Sequence, residues 1–191
     1  MMIDNDSLWT LSYYRLSEIT GSLFFGRVIK TVGDHPLQGE LTKHFADEAQ
    51  HAWLWTDCLK RLGKEPLKLD RAYQDQYASV IGAPGSLMEV LAATLVFEQR
   101  VIGQYARHLK APELTPQVAA TLRTIMDDER WHLAWVREAL KGMWADYGEA
   151  TVEATLARYR DADRTVFSET VSDATERLAR TIGLNVKRVS S

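Results

Sequence analysis

Residues 41–63, LTKHFADEAQHAWLWTDCLKRLG, decide the fold, because they can be read in two ways at once. Taken at alternating steps of three and four, they place Leu41, His44, Glu48, His51, Trp55, Cys58 and Leu62 on one stripe. That is the period of an amphipathic helix, and Gly63 supplies the usual C-terminal stop. The stripe should face a core, yet it carries a glutamate and two histidines. Glu48 and His51 stand three residues apart and therefore share a face.

The same period extends in both directions. Segment 8–32 carries Leu11, Tyr14, Glu18, Gly21, Phe25, Val28 and Val32, and GDHP at 33–36 breaks it from the next helix. Ser86 is the predicted N-cap of a third helix, with Glu89 completing a capping box. The seam of that helix is Leu87, Leu91, Thr94, Glu98, Val101, Tyr105 and His108. After KAPELTP (110–116), a fourth helix over 115–146 carries Val118, Leu122, Ile125, Glu129, His132, Val136, Leu140 and Met143. A fifth amphipathic segment, 149–181, carries Val152, Leu156, Tyr159, Val166 and Leu178 before Gly183. Segment 64–85 reads as a long connection with a helical turn or two. It is too long for a hairpin and suits a crossover along the length of a bundle. The expected fold is all-α. A four-helix bundle over 1–146 has one long crossover between helices 2 and 3. A C-terminal helical extension, 147–191, packs on the bundle or serves oligomerisation.

Each of the four seams holds a glutamate where the pattern asks for leucine: Glu18, Glu48, Glu98 and Glu129. Glu18 is the only acid between Ser7 and Gly33, so it belongs to no solvated charged face. An isolated buried carboxylate costs many kcal/mol unless it is protonated, paired or metal-bound. The seams supply no lysine or arginine. They do supply His51 and His132, because Asp-Glu-x-x-His occurs twice, at 47–51 and 128–132. A single Glu-x-x-His is more often a surface pair. Here each glutamate lies roughly 14–17 residues from its turn, about 21–25 Å at 1.5 Å per residue, so all four reach mid-height. Four carboxylates and two neutral imidazoles carry the charge that two divalent cations cancel. Hard oxygen donors with two imidazoles suit two iron ions, with manganese as the other candidate. Glu48 and Glu129 are the candidates to bridge them.

The bulk numbers narrow the class further. At 191 residues with 46% hydrophobic content, the chain can bury one core without staples. A net charge of −3 makes nucleic acid an unexpected partner. Cys58 is the only cysteine, so neither a disulfide framework nor a Cys-x-x-Cys metal site is available. The N-terminus lacks a signal-peptide pattern and no apolar run reaches membrane-spanning length, so no membrane and a cytoplasmic location are expected.

With Glu on helix one, Glu-x-x-His on helix two, Glu on helix three and Glu-x-x-His on helix four, residues 8–146 resemble the ferritin-like di-iron carboxylate proteins. The likeness is greatest to the rubrerythrin-type branch, where the halves are visibly duplicated. Here they also share Asp57/Glu138, Leu59/Leu140 and Lys60/Lys141. The chain departs from full-length rubrerythrin in having no cysteine-ligated rubredoxin module. The resemblance implies metal ligation by Glu18, Glu48, His51, Glu98, Glu129 and His132. Metal-bound histidines usually give their other N–H to an acceptor. In the family that acceptor is an aspartate of the opposite motif, a role that falls on Asp47 and Asp128. Tyr14 and Tyr105 stand one and two turns from Glu18 and Glu98, placed to bond a carboxylate, donate an electron or fill core volume. His44 is expected at the bundle's edge, with His35 and His108 near helix ends and none of them a ligand. Trp53, Trp55, Trp131 and Trp135 are expected to wall the bundle. The implied function is an oxidoreductase that activates O2 or peroxide, with a small-molecule substrate or external electron donor. The alternatives are a ferroxidase or iron-buffering protein and a hydroxylase of a transfer-RNA base. A homodimer is allowed for.

Overall fold

The computed structural model describes residues 3–169 and 173–182. Its regular elements are helical: α1 (Asn5–Val32), α2 (Gln38–Arg61), α3 (Tyr73–Ile81), α4 (Leu87–His108), α5 (Pro116–Gly142), α6 (Trp144–Tyr147), α7 (Glu149–Glu169) and α8 (Asp173–Thr181). No strand occurs among the described residues.

The ends form where the sequence supplies partners for orphan backbone groups. The Ser7 amide donates to the Asp4 carboxylate (2.7 Å) at the start of α1. Thr115 caps α5, with Pro116 in its first turn. Gly63, at φ 67°, closes α2. Its amide donates to the Lys60 carbonyl (2.9 Å) and the Lys64 amide to the Leu59 carbonyl (3.0 Å), the two bonds of a Schellman motif. Ser86 caps α4 through the Glu89 amide (3.2 Å). The Glu89 carboxylate reaches one residue further out than a capping box requires, accepting from the Gly85 amide (2.6 Å).

Two hydrophobic clusters give the helix directions. One contains Phe25, Val28, Leu41, Leu91, Val136 and Leu140. The other contains Leu11, Tyr14, Trp55, Leu59, Tyr105, Leu122 and Ile125. α1 and α5 run from the second cluster to the first, and α2 and α4 run from the first to the second. α2 therefore ends at the opposite end of the bundle from where α4 begins. Segment 62–86 crosses that length, as expected. Between the clusters lies a belt of buried polar side chains, and all four seam glutamates stand in it.

The crossover contains a two-turn helix, α3, in keeping with the helical turn or two expected there. Its anchors are long-range: the Leu67 amide donates to Ser12 Oγ (3.0 Å) and the Gln74 amide group to the Ser17 carbonyl (3.1 Å). One expectation needs correction: α5 stops at Gly142 rather than 146, and the turn α6 separates it from the next helix. The described residues of the fifth segment form α7, packed on α4 and α3, and α8, packed on α1. Its seam residues Val152, Leu156, Tyr159, Val166 and Leu178 are all buried. Residues 170–172 and Gly183 onward lie outside the described residues.

One polar knot ties α3, α4 and α7 together. Asp163 on α7 is buried and accepts from Tyr73 (2.7 Å) and Tyr77 (2.5 Å). It also pairs with the Arg100 guanidinium through Nε (2.7 Å) and Nη2. No helix among the described residues is long and apolar enough to cross a membrane.

Candidate metal centre

The six ligands expected from the sequence converge. Glu18, Glu48, Glu98 and Glu129 are each at most 6% exposed, and His51 and His132 are fully buried. Single ligand atoms of Glu18, Glu48, His51 and Glu129 lie within 4.8 Å of one another. The same holds for His44, Glu48, Glu98 and His132. Glu48 belongs to both groups. Glu129 spans them, with Oε1 3.4 Å from His51 Nδ1 and Oε2 3.2 Å from His132 Nδ1. Two carboxylates that each face both halves are what a pair of adjacent cations requires.

The histidines are oriented from behind. His51 Nε2 meets Asp128 Oδ2 and His132 Nε2 meets Asp47 Oδ2, each at 3.2 Å. Each aspartate serves the histidine of the other motif. With the protons on Nε2, both Nδ1 lone pairs point at the glutamates. Replacing Asp47 or Asp128 with alanine should weaken metal binding roughly 10–100-fold while the fold survives. Calorimetric titration of both variants with a divalent metal checks this, and affinities equal to the parent's would reduce the two residues to surface acids.

Tyr105 donates to Glu18 Oε1 (2.6 Å) and accepts from the Trp55 indole N–H (3.2 Å). Tyr14 packs edge-on against Tyr105 at 4.8 Å, and its buried hydroxyl has no partner. Trp55 and Trp135 are buried, and Trp131 is half-buried under the Lys43 ammonium. Trp53, expected to wall the bundle, is instead 52% exposed, because two residues beyond His51 is the outer face.

Sequence reading missed two residues. His44 is not at the bundle's edge but fully buried, with Nε2 3.1 Å from Glu98 Oε1 and 3.3 Å from Glu48 Oε1. Its place on the α2 seam was the available signal. Gly21 on α1 is the other. A Cβ there would stand 2.1 Å from Glu48 Oε2, so the missing side chain makes the space that this carboxylate occupies.

The charge state follows from crowding. Burial pushes the Glu18 carboxyl up to about 7, reinforced by Glu48 and Glu129 and opposed by His51. Burial, then the Glu129 charge, also raises Glu98 well above the carboxylate range. Glu129 goes the other way: burial opposes ionisation, but hydrogen bonds from Glu98, His132 and His51 hold it well below that range. Burial disfavours the His51 cation, yet bonds to Glu129 and Glu18 push it up to about 12. His132 is raised by Glu129 against the same penalty, whereas burial lowers His44.

The residues fit a dinuclear cation site on three counts. The donor set balances two divalent ions. Gly21 leaves the cradle that Glu48 fills. His51 Nδ1 is buried and aimed into the carboxylate cluster, 3.4 Å from Glu129 Oε1 and 3.8 Å from Glu18 Oε2. A cavity of about 50 Å³ touches all four glutamates and is lined further by Tyr13, Tyr14, Tyr73, Gln74, Phe97 and Arg100.

Fold and belt together define a ferritin-like four-helix bundle with a buried carboxylate–histidine cluster able to hold metal. Among solved structures the chain is similar to Protein 19 with aldehyde deformylating oxidase activity from Synechococcus. The TM-score is 0.74 at 18% identity, covering 94% of this chain and 80% of that chain. At that identity the likeness bears on the fold. No protein-family model and no curated protein matches the chain.

Proposed function

We propose that the protein is a di-iron carboxylate oxidoreductase that activates O2 or peroxide in the bundle core. The observation that carries this reading is the pair of carboxylates, Glu48 and Glu129, facing both histidines beside a cavity that touches all four glutamates. Glu18 with His51, and Glu98 with His132, would complete the two positions. Two adjacent iron ions held there would supply redox chemistry and open coordination positions for an oxygen species.

The chain's own residues do the rest. Tyr105 holds Glu18 through a short hydrogen bond and stands ready to pass a proton at Oη. The aspartates fix the histidine tautomers. The two hydrophobic clusters keep bulk water from the centre. Arg100 and Gln104 line the small cavity and also a groove of about 320 Å³ bordered by α4, α7 and α8, which offers a route for a small substrate or an electron donor. The duplicated Asp-Glu-x-x-His halves support a rubrerythrin-like relationship. The aldehyde deformylating oxidase activity of the similar structure favours oxygen chemistry over iron storage.

Elemental analysis of protein expressed with iron supplementation should give close to two metal ions per chain, predominantly iron. The reduced protein should then consume O2 in a stopped-flow experiment. One zinc per chain, or no metal, would sink the proposal.

Metal affinity should fall as pH falls. Ligation needs deprotonated groups. In the metal-free protein Glu18 holds its proton up to about pH 7, and His51 up to about pH 12. Both shifts are upward, so metal must displace protons throughout the neutral range, more of them below pH 7. Each proton released lowers apparent affinity about tenfold per pH unit. Competition with a chromophoric chelator should show a loss of more than tenfold from about pH 7.5 to about pH 6.5. A flat profile would show that metal displaces no protons from these groups.

A further inference from the structure

The two metal positions are built from repeated motifs, yet their terminal glutamates are held by different chemistry. Glu18 accepts from the Tyr105 phenol at 2.6 Å. Glu98 faces His44 Nε2 at 3.1 Å, which also lies 3.3 Å from Glu48 Oε1. Tyr105 follows Glu98 by seven residues, and Phe25 follows Glu18 by seven. His44 precedes Glu48 by four, and Ile125 precedes Glu129 by four. Each half therefore has an apolar residue where the other has its hydrogen-bond donor. Phe25 stacks on His44 at 4.0 Å, while Ile125 lies in the cluster that contains Tyr105.

His44 has the placement of a third histidine ligand, but its geometry argues for another role. Its ring lies parallel to that of His132, 3.6 Å between centroids and 12° between planes. Lone pairs in two parallel stacked rings run side by side and do not converge on one ion. The tautomer offers a second argument. His51 and His132 each have an aspartate acceptor behind them, so each can carry its proton there and present a lone pair to metal. His44 Nδ1 is buried with no partner. Ligation through Nε2 would put the proton on Nδ1 and leave a buried donor unmatched, which is costly. With the proton on Nε2, it is donated to carboxylate oxygens, and only a lone pair goes unused.

We propose that His44 is a positioning residue for the metal position formed by Glu98 and His132, donating its Nε2–H to Glu98 and Glu48 and so restricting the oxygens those carboxylates offer to metal. The proposal rests on the dinuclear reading of the site. It makes the two positions inequivalent: one carboxylate is held by an imidazole donor and its counterpart by a phenol.

Cobalt(II) serves as the probe, because its visible bands and X-ray absorption report ligand number and type. The parent should take up two ions, with two imidazoles per pair of metals. His44→Phe keeps an aromatic ring and removes the donor. One of its two binding steps should lose about 10–100-fold in affinity, with little change in the other step. His44→Gln, whose side-chain amide can donate from nearly the same place, should restore both affinity and spectrum. Tyr105→Phe should weaken the opposite position instead. Three imidazoles per metal pair in the parent, or His44→Gln as damaged as His44→Phe, would make His44 a ligand and overturn the proposal. Two unchanged binding steps in His44→Phe would make it mere packing. A parent that binds fewer than two cobalt ions would overturn the dinuclear reading, and this proposal with it. The imidazole count in the parent decides between donor and ligand even where a variant fails to fold.

Discussion

Replacing Asp163 with alanine should destabilise the protein by about 3 kcal/mol, without touching any candidate ligand. Asp163 is the common acceptor for Tyr73, Tyr77 and Arg100, from the crossover helix and from α4. Removing it leaves two phenols and a guanidinium to be re-solvated within a packed junction. Breaking a buried ion pair from one side costs about 3–5 kcal/mol. The lower figure applies here, because the Arg100 and Asp163 side chains keep 19% and 12% exposure. At roughly 2–4 °C per kcal/mol for a chain of this size, the melting temperature should drop by about 10 °C. Tyr73 and Tyr77 give an independent reading: with their acceptor gone, their near-ultraviolet absorption should shift towards that of solvent-exposed tyrosine. An unchanged melting temperature would mean that α7 holds the crossover by apolar contacts alone.

Gly21→Ala should separate folding from metal binding more sharply than any ligand substitution. The added Cβ would lie 2.1 Å from Glu48 Oε2 and 3.1 Å from Glu48 Cδ. Those atoms are the far end of a flexible side chain, so the fold accommodates the methyl by swinging the carboxylate away. Alanine is also a better helix former than glycine by roughly 1 kcal/mol, which offsets the repacking. The metal-free variant should therefore melt near the parent's temperature. Metal affinity should fall by roughly 100-fold or more, at or beyond the upper end of what disturbing a ligand's support costs. Metal then raises the variant's melting temperature much less than the parent's, because a ligand stabilises in proportion to its affinity for the folded state. Equal metal-induced shifts in the two proteins would show that Glu48 does not need the space beside Gly21.

Much of this architecture was legible because burial imposes a period. The seam through Leu41, Glu48, His51 and Trp55 requires a helix, and a carboxylate on each of four seams requires compensation. The crossed aspartates were within reach of sequence reasoning, since a ligating histidine needs an acceptor. His44 was misplaced for a physical reason. The period put it on the core stripe, but the oxygen it faces belongs to Glu98, on a helix whose register is set by tertiary packing. The role of Gly21 likewise depends on the rotamer of Glu48. The partners of α3 were out of reach of the sequence, because its tyrosines bond Asp163, which lies far along the chain. Trp53 shows the converse error: a large aromatic was assigned inward by type, although its position on the helix points outward.

The crossed aspartate–histidine bonds have a consequence for how such a chain arises. Asp47 stands on the same hairpin as Glu18, Glu48 and His51, yet it orients His132 on the other hairpin, and Asp128 returns the favour. Neither hairpin alone can present a correctly oriented histidine. An ancestral single hairpin bearing one glutamate and one Asp-Glu-x-x-His would complete the constellation only by pairing with a second copy of itself, each copy orienting the other's imidazole. Tandem fusion of two copies preserves that mutual dependence while freeing the halves to diverge. The contrast of Phe25 and His44 with Tyr105 and Ile125 fits this order of events: a homodimer's strict symmetry forbids it, and a fused chain permits it.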